Sequence, residues 1–585
     1  MKYILGISCF FHDSSACIIS DNEIIAAAEE ERFTRKKHDN SFPENAIKFC
    51  LEKADIKPAD LDAIVFYENP IIKFDRVIKT LIKKFPKSLN IFKSVAIDWH
   101  SDKLWFKEKC KRFLNIDRKK IFFFDHHKSH LYSALIPSNF KQSACLTIDG
   151  VGEWVTTEGS IFKNNSLNKL FSVNFPNSLG ILYSALTEFL GFEVNEGEYK
   201  VMGLAAYGEP IYCDKIEKLF NFRNEDGFEL NMEYFSFEYS MQTNLTKKFF
   251  NLFGEKRKSE SEFLKKEQTH PKLFELNSYQ KYYADIAASL QLVMQDQILL
   301  FVKKLKKKSG LDSLIYAGGV AYNGVINEEI LKSSGFKNIF IQPAAGDNGA
   351  AIGAALGFRF EKQKSSEKFL FKNMYLGKSY TSEECINEIE NFSFKKKIYN
   401  SIEDQAEFLA SQIFNEKIVG FFRSAFEFGP RALGNRSIIA HPGTMQIKNK
   451  INKSVKFREQ FRPFAPVVID KWANTYFEIN KEKGLQQPYK YMLAVAKTKE
   501  DYVDKLQAVT HVDGTARVQI LSEDDNKLLY NVIKKFGELS GIYCLVNTSF
   551  NIRGEPMVGS PYDALKTFSY TDLDVLSLEN VILTK

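Results

Sequence analysis

YILGISCFFHDSSACIIS, residues 3 to 20, reads as an apolar strand, a polar turn at HDSSA and a second apolar strand. DNE and then IIAAAEEER follow, a further short turn and apolar run. The same opening recurs at SACLTIDGVGEWVTTEGS, residues 143 to 160, with a Gly/Asp turn between a strand and a β-rich segment. Two such openings in one chain predict two related α/β lobes with a ligand cleft between them.

Strand, tight turn, strand is how actin-like and sugar-kinase-like nucleotide folds begin. The second lobe closes with SLIYAGGVAYNGVINEEIL (313 to 331) and IFIQPAAGDNGAAIGAALGF (339 to 358), each a strand, a glycine-rich turn and a helix. Glycine lets backbone amides approach a ligand, and a helix start favours negative charge, so both turns are candidate nucleotide contacts. Close helix–strand packing is the alternative explanation of the same glycines.

The charged EKQKSSEKF at 361 to 369 lacks an apolar period and suits a boundary. The expected organisation is a first domain over 1–365, with lobes about 1–142 and 143–365, a connector over 366–394 and a second α/β domain over 395–585. Residues 235 to 275 mix aromatics with charges and read as a surface insertion.

At 585 residues the chain is too long for one core. Its 44% hydrophobic and 26% charged content excludes a disordered tail or a membrane-embedded class. A net charge of +7 is small against 80 basic and 73 acidic residues, so the balance favours neither nucleic acid nor small phosphates. VKKLKKKSG at 302 to 310 reads as a solvated helix end. Eight cysteines stand far apart with no CxxC pair, as reduced thiols would. His12 and Asp13 interrupt the N-terminal apolar run, no cleavage motif follows, and no apolar run of spanning length stands out, so a cytoplasmic protein without membrane contact is expected.

DHHKSH, residues 125 to 130, places His126 and His130 one helical turn apart on one face and His127 about a quarter-turn away. The spacing matches the HExxH metalloprotease helix, but His127 stands where that chemistry needs a glutamate. Carboxylates in two other glycine turns, Asp149 and Asp347, could complete a site with two imidazoles and two carboxylates. Such a set suits iron(II), manganese or zinc with positions open to phosphate oxygens; helix and turn capping is the alternative for both aspartates. His12 beside Asp13, directly after the first strand, is a candidate proton acceptor or a plain turn.

FEFGPRALGNRSIIAHP and KNKINKSVKFREQFRPFAP interleave Arg431, Arg436, Lys456, Arg458 and Arg462 with glycine, proline and aromatics, unlike a solvated lysine run. HVDGTARVQ adds Arg517, and VNTSFNIRGEP adds Asn547, Ser549, Asn551 and Arg553. Planar guanidinium forks beside amides and a hydroxyl suit a small, partly anionic ligand. No stacking module or basic repeat supports a nucleic-acid partner.

Together FHDSSA, EEERFTRKKHD, DHHKSH, DGVGE, GEYKVMGLAAYG, AGGVAYN, GDNGAA, EFGPRALGNRS, FRPFAP and NTSFN, in order along nearly the whole chain, resemble the NodU/CmcH family of O-carbamoyltransferases. The resemblance implies a two-lobed actin-like (ASKHA) N-terminal domain similar to the tRNA threonylcarbamoyl transferase TsaD, and a YrdC-like α/β C-terminal domain. The latter would make carbamoyladenylate from carbamoyl phosphate and ATP, with Mg2+; the former would pass the carbamoyl group to an alcohol of a sugar or natural product.

Carried over, iron(II), with manganese or zinc as alternatives, would bind His126, His130, Asp149 and Asp347, and His12 would accept the proton. Ser178, Gly318, Gly319 and Asn323 would contact ATP. Carbamoyl phosphate would meet Thr34, Lys37, Arg431, Arg517, Asn547, Ser549 and Asn551, with Arg458 or Arg462. A labile mixed anhydride also implies an enclosed path between two abutting domains, and a homodimer would accord with the family. Threonylcarbamoylation of tRNA and a non-catalytic nucleotide-gated binding protein are the competing readings.

Overall fold

The computed structural model describes residues 2–91, 103–259, 269–363 and 369–585. Two compact units emerge. One comprises residues 1–30, 40–261 and 278–371, the other 31–39, 262–277 and 372–585.

The first unit holds two five-stranded sheets. In one, β1 (Tyr3–Ser8), β2 (Ser15–Ser20) and β3 (Glu23–Glu29) form an antiparallel meander, and β4 (Ala63–Phe66) and β5 (Ile121–Phe123) run parallel to β1, in the order β3-β2-β1-β4-β5. In the other, β6 (Ser143–Ile148), β7 (Val155–Lys163) and β8 (Ser166–Asn174) repeat the meander. After a small hairpin of β9 (Phe220–Asn224) and β10 (Gly227–Leu230), strands β11 (Ser313–Ala317) and β12 (Asn338–Ile341) complete the order β12-β11-β6-β7-β8. The second sheet is thus the first repeated strand for strand, the duplicated architecture of an actin-like fold.

β1, β2 and β6 are buried almost throughout, which explains their unbroken apolar sequence rather than an alternating one. In each lobe the fifth strand feeds a helix, His126–Ser138 after β5 and Asp347–Gln363 after β12. These two helices touch closely, since a Cβ on Gly353 would stand 1.7 Å from the Ser129 carbonyl oxygen. The helix Ser278–Ser309 is long and apolar enough to cross a membrane, contrary to the expectation that no such run exists. Yet 78% of its most apolar stretch is buried within the protein, as in a core helix.

Part of the expected surface insertion is anchored instead, with Phe235, Phe249 and Phe253 wholly buried. Residues 260–268 of that insertion lie outside the described residues, and residues 269–277 belong with the second unit. All eight cysteines are unpaired.

The second unit is an α/β domain on an eight-stranded mixed sheet. Its strands are β13 (Lys395–Ile398), β14 (Val419–Phe422), β15 (Arg436–Ala440), β16 (Ala465–Ile469), β19 (Gln519–Leu521), β20 (Cys544–Ser549), β21 (Val575–Leu578) and β22 (Val581–Thr584), in the order β13-β22-β21-β14-β15-β20-β16-β19. A two-stranded ribbon of β17 (Ala496–Lys497) and β18 (Thr515–Ala516) stands apart. Ser401 caps the helix Ile402–Phe414, its hydroxyl accepting from the Asp404 amide.

The segment 31–39 belongs to this unit although the meander precedes it in the chain. Arg32 donates to the Gly429 carbonyl at 2.8 Å, and Arg35 to that of Pro556 at 2.9 Å while paired with Asp563 at 3.3 Å. The stretch 372–394, read from sequence as connector, also lies within this unit and carries the helix Ser382–Ile389.

Candidate metal centre and anion pocket

Four side chains converge at the carboxyl ends of strands in the first unit. His126 and His130 stand on the first turns of the helix after β5, Asp149 in the turn after β6, and Asp347 at the start of the helix after β12. His126 Nε2 lies 3.2 Å from His130 Nε2 and 3.1 Å from Asp149 Oδ2, and His130 Nε2 lies 3.4 Å from Asp347 Oδ1. One ligand atom from each of the four falls within 4.8 Å of all the others.

Two imidazole nitrogens meeting head to head have no favourable bond to each other unless one carries a proton or both face a cation. The donor set, nitrogen and carboxylate oxygen in a buried site, therefore fits a first-row divalent metal. Burial alone would raise Asp149, but the hydrogen bond from His126, the two histidine charges and the Gly319 amide hold it well below the usual range. Asp347 is likewise lowered, the His130 hydrogen bond and the His126 charge outweighing burial.

His127 turns away. One ring nitrogen bonds the Thr147 hydroxyl and the other the Val155 carbonyl, each at 2.8 Å, and burial pushes it down to about 3. A neutral ring donating to Val155 and accepting from Thr147 satisfies both atoms.

His12 follows β1 as Asp149 follows β6, so the two occupy equivalent turns of the duplicated sheets. Its Nδ1 lies 2.8 Å from Asp13 Oδ2. Burial lowers it, but Asp13, and behind it Asp347, raise it to about 9.

Gly318 and Gly319 sit beside the Asp149 turn. Gly318 has φ +96°, and a Cβ there would stand 2.2 Å from the Ile148 carbonyl oxygen; the Gly319 amide donates to Asp149 Oδ1 at 2.9 Å. Ser178 caps the helix Leu179–Phe189, and its hydroxyl donates to the Gly150 carbonyl at 2.6 Å. Asn323 caps the helix Gly324–Ser333 and donates to Gln291 at 2.9 Å.

In the second unit the focus is a lysine. Lys456 is 5% exposed, and its ammonium donates to the carbonyl and hydroxyl of Ser549 at 2.8 and 3.1 Å and to the Asn551 carbonyl at 2.9 Å, with the Asn551 side-chain oxygen also bound. Burial, then the positive charges of Arg458, Arg462 and Lys37, push it well below its ordinary value. Four cations within mutual range create a positive field that an anion would relieve.

Arg458 is braced by Asn452 at 2.7 Å and lies 4.5 Å over the Phe464 ring, while Arg462 pairs with Glu459 at 3.5 Å. Asn547, buried on β20, donates to the Ala432 carbonyl at 3.2 Å, next to Arg431, and also to Gln519. Arg517 follows β18, and Thr34 donates to Asp39 at 2.8 Å.

Arg436, grouped from sequence with the anion binders, belongs elsewhere. It is wholly buried, donates to the carbonyls of Asn435 and Ser424 at 2.9 and 3.0 Å, and lies 3.6 Å over the Phe422 ring. The central place of Lys456 was visible only as one basic residue among several. Its two-residue spacing from Arg458 was the available signal.

Comparison with known proteins agrees with both units. Residues 3–356 match the model of the carbamoyltransferase N-terminus, and residues 410–585 that of the carbamoyltransferase C-terminus. Protein sll1178 of Synechocystis sp. is 40% identical, over 100% of this chain and 97% of its own. Nodulation protein NolNO of Sinorhizobium fredii is 32% identical, over 98% of this chain and 79% of its own. Among solved structures, T. kodakarensis HypF aligns with 63% of this chain and 50% of its own at 14% identity and a TM-score of 0.32. The chain belongs to the carbamoyltransferase family and carries both its N-terminal and its C-terminal domain.

Proposed function

We propose that this carbamoyltransferase is an ATP-dependent O-carbamoyltransferase working in two half-reactions. In the second unit, carbamoyl phosphate, ATP and water would give carbamoyladenylate, pyrophosphate and inorganic phosphate. In the first, an acceptor alcohol would take the carbamoyl group, releasing AMP and a proton. The observation that carries the reading is the pairing, in one chain of this family, of a buried four-donor cluster with the Lys456 pocket.

Lys456, Arg458, Arg462 and Lys37 would hold the phosphate. Lys456 also fixes the Ser549–Asn551 loop, so one group both attracts the anion and shapes its seat. Asn547 Oδ1, buried without a hydrogen-bond partner among the described residues, would accept from the carbamoyl NH2. His126, His130, Asp149 and Asp347 would hold iron(II), or manganese or zinc. Such an ion, when bound, supplies a Lewis acid for phosphate or carbamoyl oxygen.

Asp13 would orient the His12 ring through Nδ1, and His12 would take the proton of the alcohol. Gly318 and Gly319 would let the nucleotide approach the backbone at the end of β11. The acceptor is read as a hydroxyl of a sugar or natural product.

The test incubates the full chain with Mg2+-ATP and labelled carbamoyl phosphate and follows pyrophosphate and carbamoyl-AMP. Formation of both, dependent on each substrate, is expected. Neither product appearing, with iron(II) or manganese supplied, would dismiss the reading.

A further inference from the structure

The duplicated sheets make one further pair of residues stand out. β4 and β11 hold the same place in their lobes, so Tyr67 and Glu68, which follow β4, correspond to Gly318 and Gly319, which follow β11. On the β11 side the Gly319 amide donates to Asp149. On the β4 side two side chains face the cluster.

The Tyr67 hydroxyl lies 3.4 Å from Asp347 Oδ2. Glu68 Oε2 lies 3.9 Å from His126 Nδ1, and both residues are buried, at 0% and 1% exposure. Glu68 Oε1 and His126 Nδ1 each lack a hydrogen-bond partner among the described residues. Lys73 is ion-paired to Glu68 Oε2. With Oε2 held by Lys73, Oε1 is left for the imidazole N–H, and a small side-chain rotation closes the gap.

We propose that Tyr67 and Glu68 are positioning residues for the metal centre. Tyr67 donates to Oδ2 of Asp347 and leaves Oδ1 facing His130. Glu68 draws the His126 proton to Nδ1, so that Nε2 presents its lone pair to the ion. Glu153 secures the same helix end from another side, accepting from the His126 amide at 3.2 Å and the Asn69 amide at 2.7 Å. This rests on the metal-centre reading.

Partners of this kind orient a ligating histidine and fix its tautomer, and their loss typically weakens metal binding about 10–100-fold. Glu68→Gln alone would strand Lys73 in the interior, so the informative variants are Glu68→Gln/Lys73→Met, which removes both charges, and Tyr67→Phe. Metal-free full chain would be titrated with Mn(II) alone, and the visible absorption of the Co(II) form recorded, with His130→Ala as the benchmark for a lost ligand.

Both variants are expected to bind Mn(II) about 10–100-fold more weakly than wild type, with a shifted Co(II) spectrum. Wild-type affinity and an unchanged spectrum in both would overturn the positioning role while leaving the centre intact. Wild type binding no better than His130→Ala would instead defeat the metal centre, and this assignment with it.

Discussion

Nε2 of His126 and Nε2 of His130, one helical turn apart, lie 3.2 Å from each other with an aspartate oxygen against each. In the metal-free protein a proton on His126 stands where a cation would. Burial would lower His126, but the hydrogen bond to Asp149 and the charges of Asp347 and Asp149 raise it to about 9.

Metal must displace that proton. Below pH 9 the raised group is protonated, so apparent metal affinity should increase with pH, by up to about tenfold per unit, and level off above about 9. Calorimetry in buffers of different ionisation enthalpy should show about one proton released per ion at neutral pH. An affinity independent of pH would contradict this account of the cluster.

His12 must be neutral to accept a proton, and Asp13 raises it to about 9. The transfer rate should therefore climb with pH toward that value. Asp13→Asn removes the hydrogen bond and the charge, letting burial pull His12 down. The acidic limb of the pH–rate profile should move lower by about one unit or more, with a lower plateau from the weaker base. A limb that stays in place would remove His12 from the proton-accepting role.

Lys456→Met deletes the ammonium that binds Ser549 and Asn551. Stranding buried carbonyls costs about 1–3 kcal/mol, and loss of a preorganised cation facing phosphate should lower adenylate formation by about 10²-fold or more. Pyrophosphate release measures the second effect. Metal content, held by the other unit, should be unchanged.

Gly353 lets the helices bearing His130 and Asp347 touch, with no room for a methyl 1.7 Å from the Ser129 carbonyl oxygen. Gly353→Ala should force them apart and destabilise the protein by about 1–3 kcal/mol, seen as a lower melting temperature. Because those helices carry ligands, Mn(II) affinity should fall as well.

The two openings at 3–20 and 143–160 were enough to read a duplicated α/β architecture, because a strand buried on both faces leaves an unbroken apolar run. DHHKSH resolved into unequal histidines for another local reason, helical spacing. What could not be read were relations set by topology. Glu68 and Tyr67 carry no motif and gain meaning only from standing at the end of β4. The buried partners of Arg436 follow from strand pairing, which reverses its reading as an anion binder. The long helix Ser278–Ser309 hid as a core element because its apolar residues are interrupted by glutamine, aspartate and lysine.

If two chemically separate sites share the labour, His130→Ala must divide the two half-reactions. Pyrophosphate release and label transfer to a panel of sugar and natural-product alcohols would be measured side by side with carbamoyl phosphate and Mg2+-ATP. Pyrophosphate release should stay within about threefold of wild type, while transfer falls by about 10²-fold or more. An equal loss of both would contradict the account.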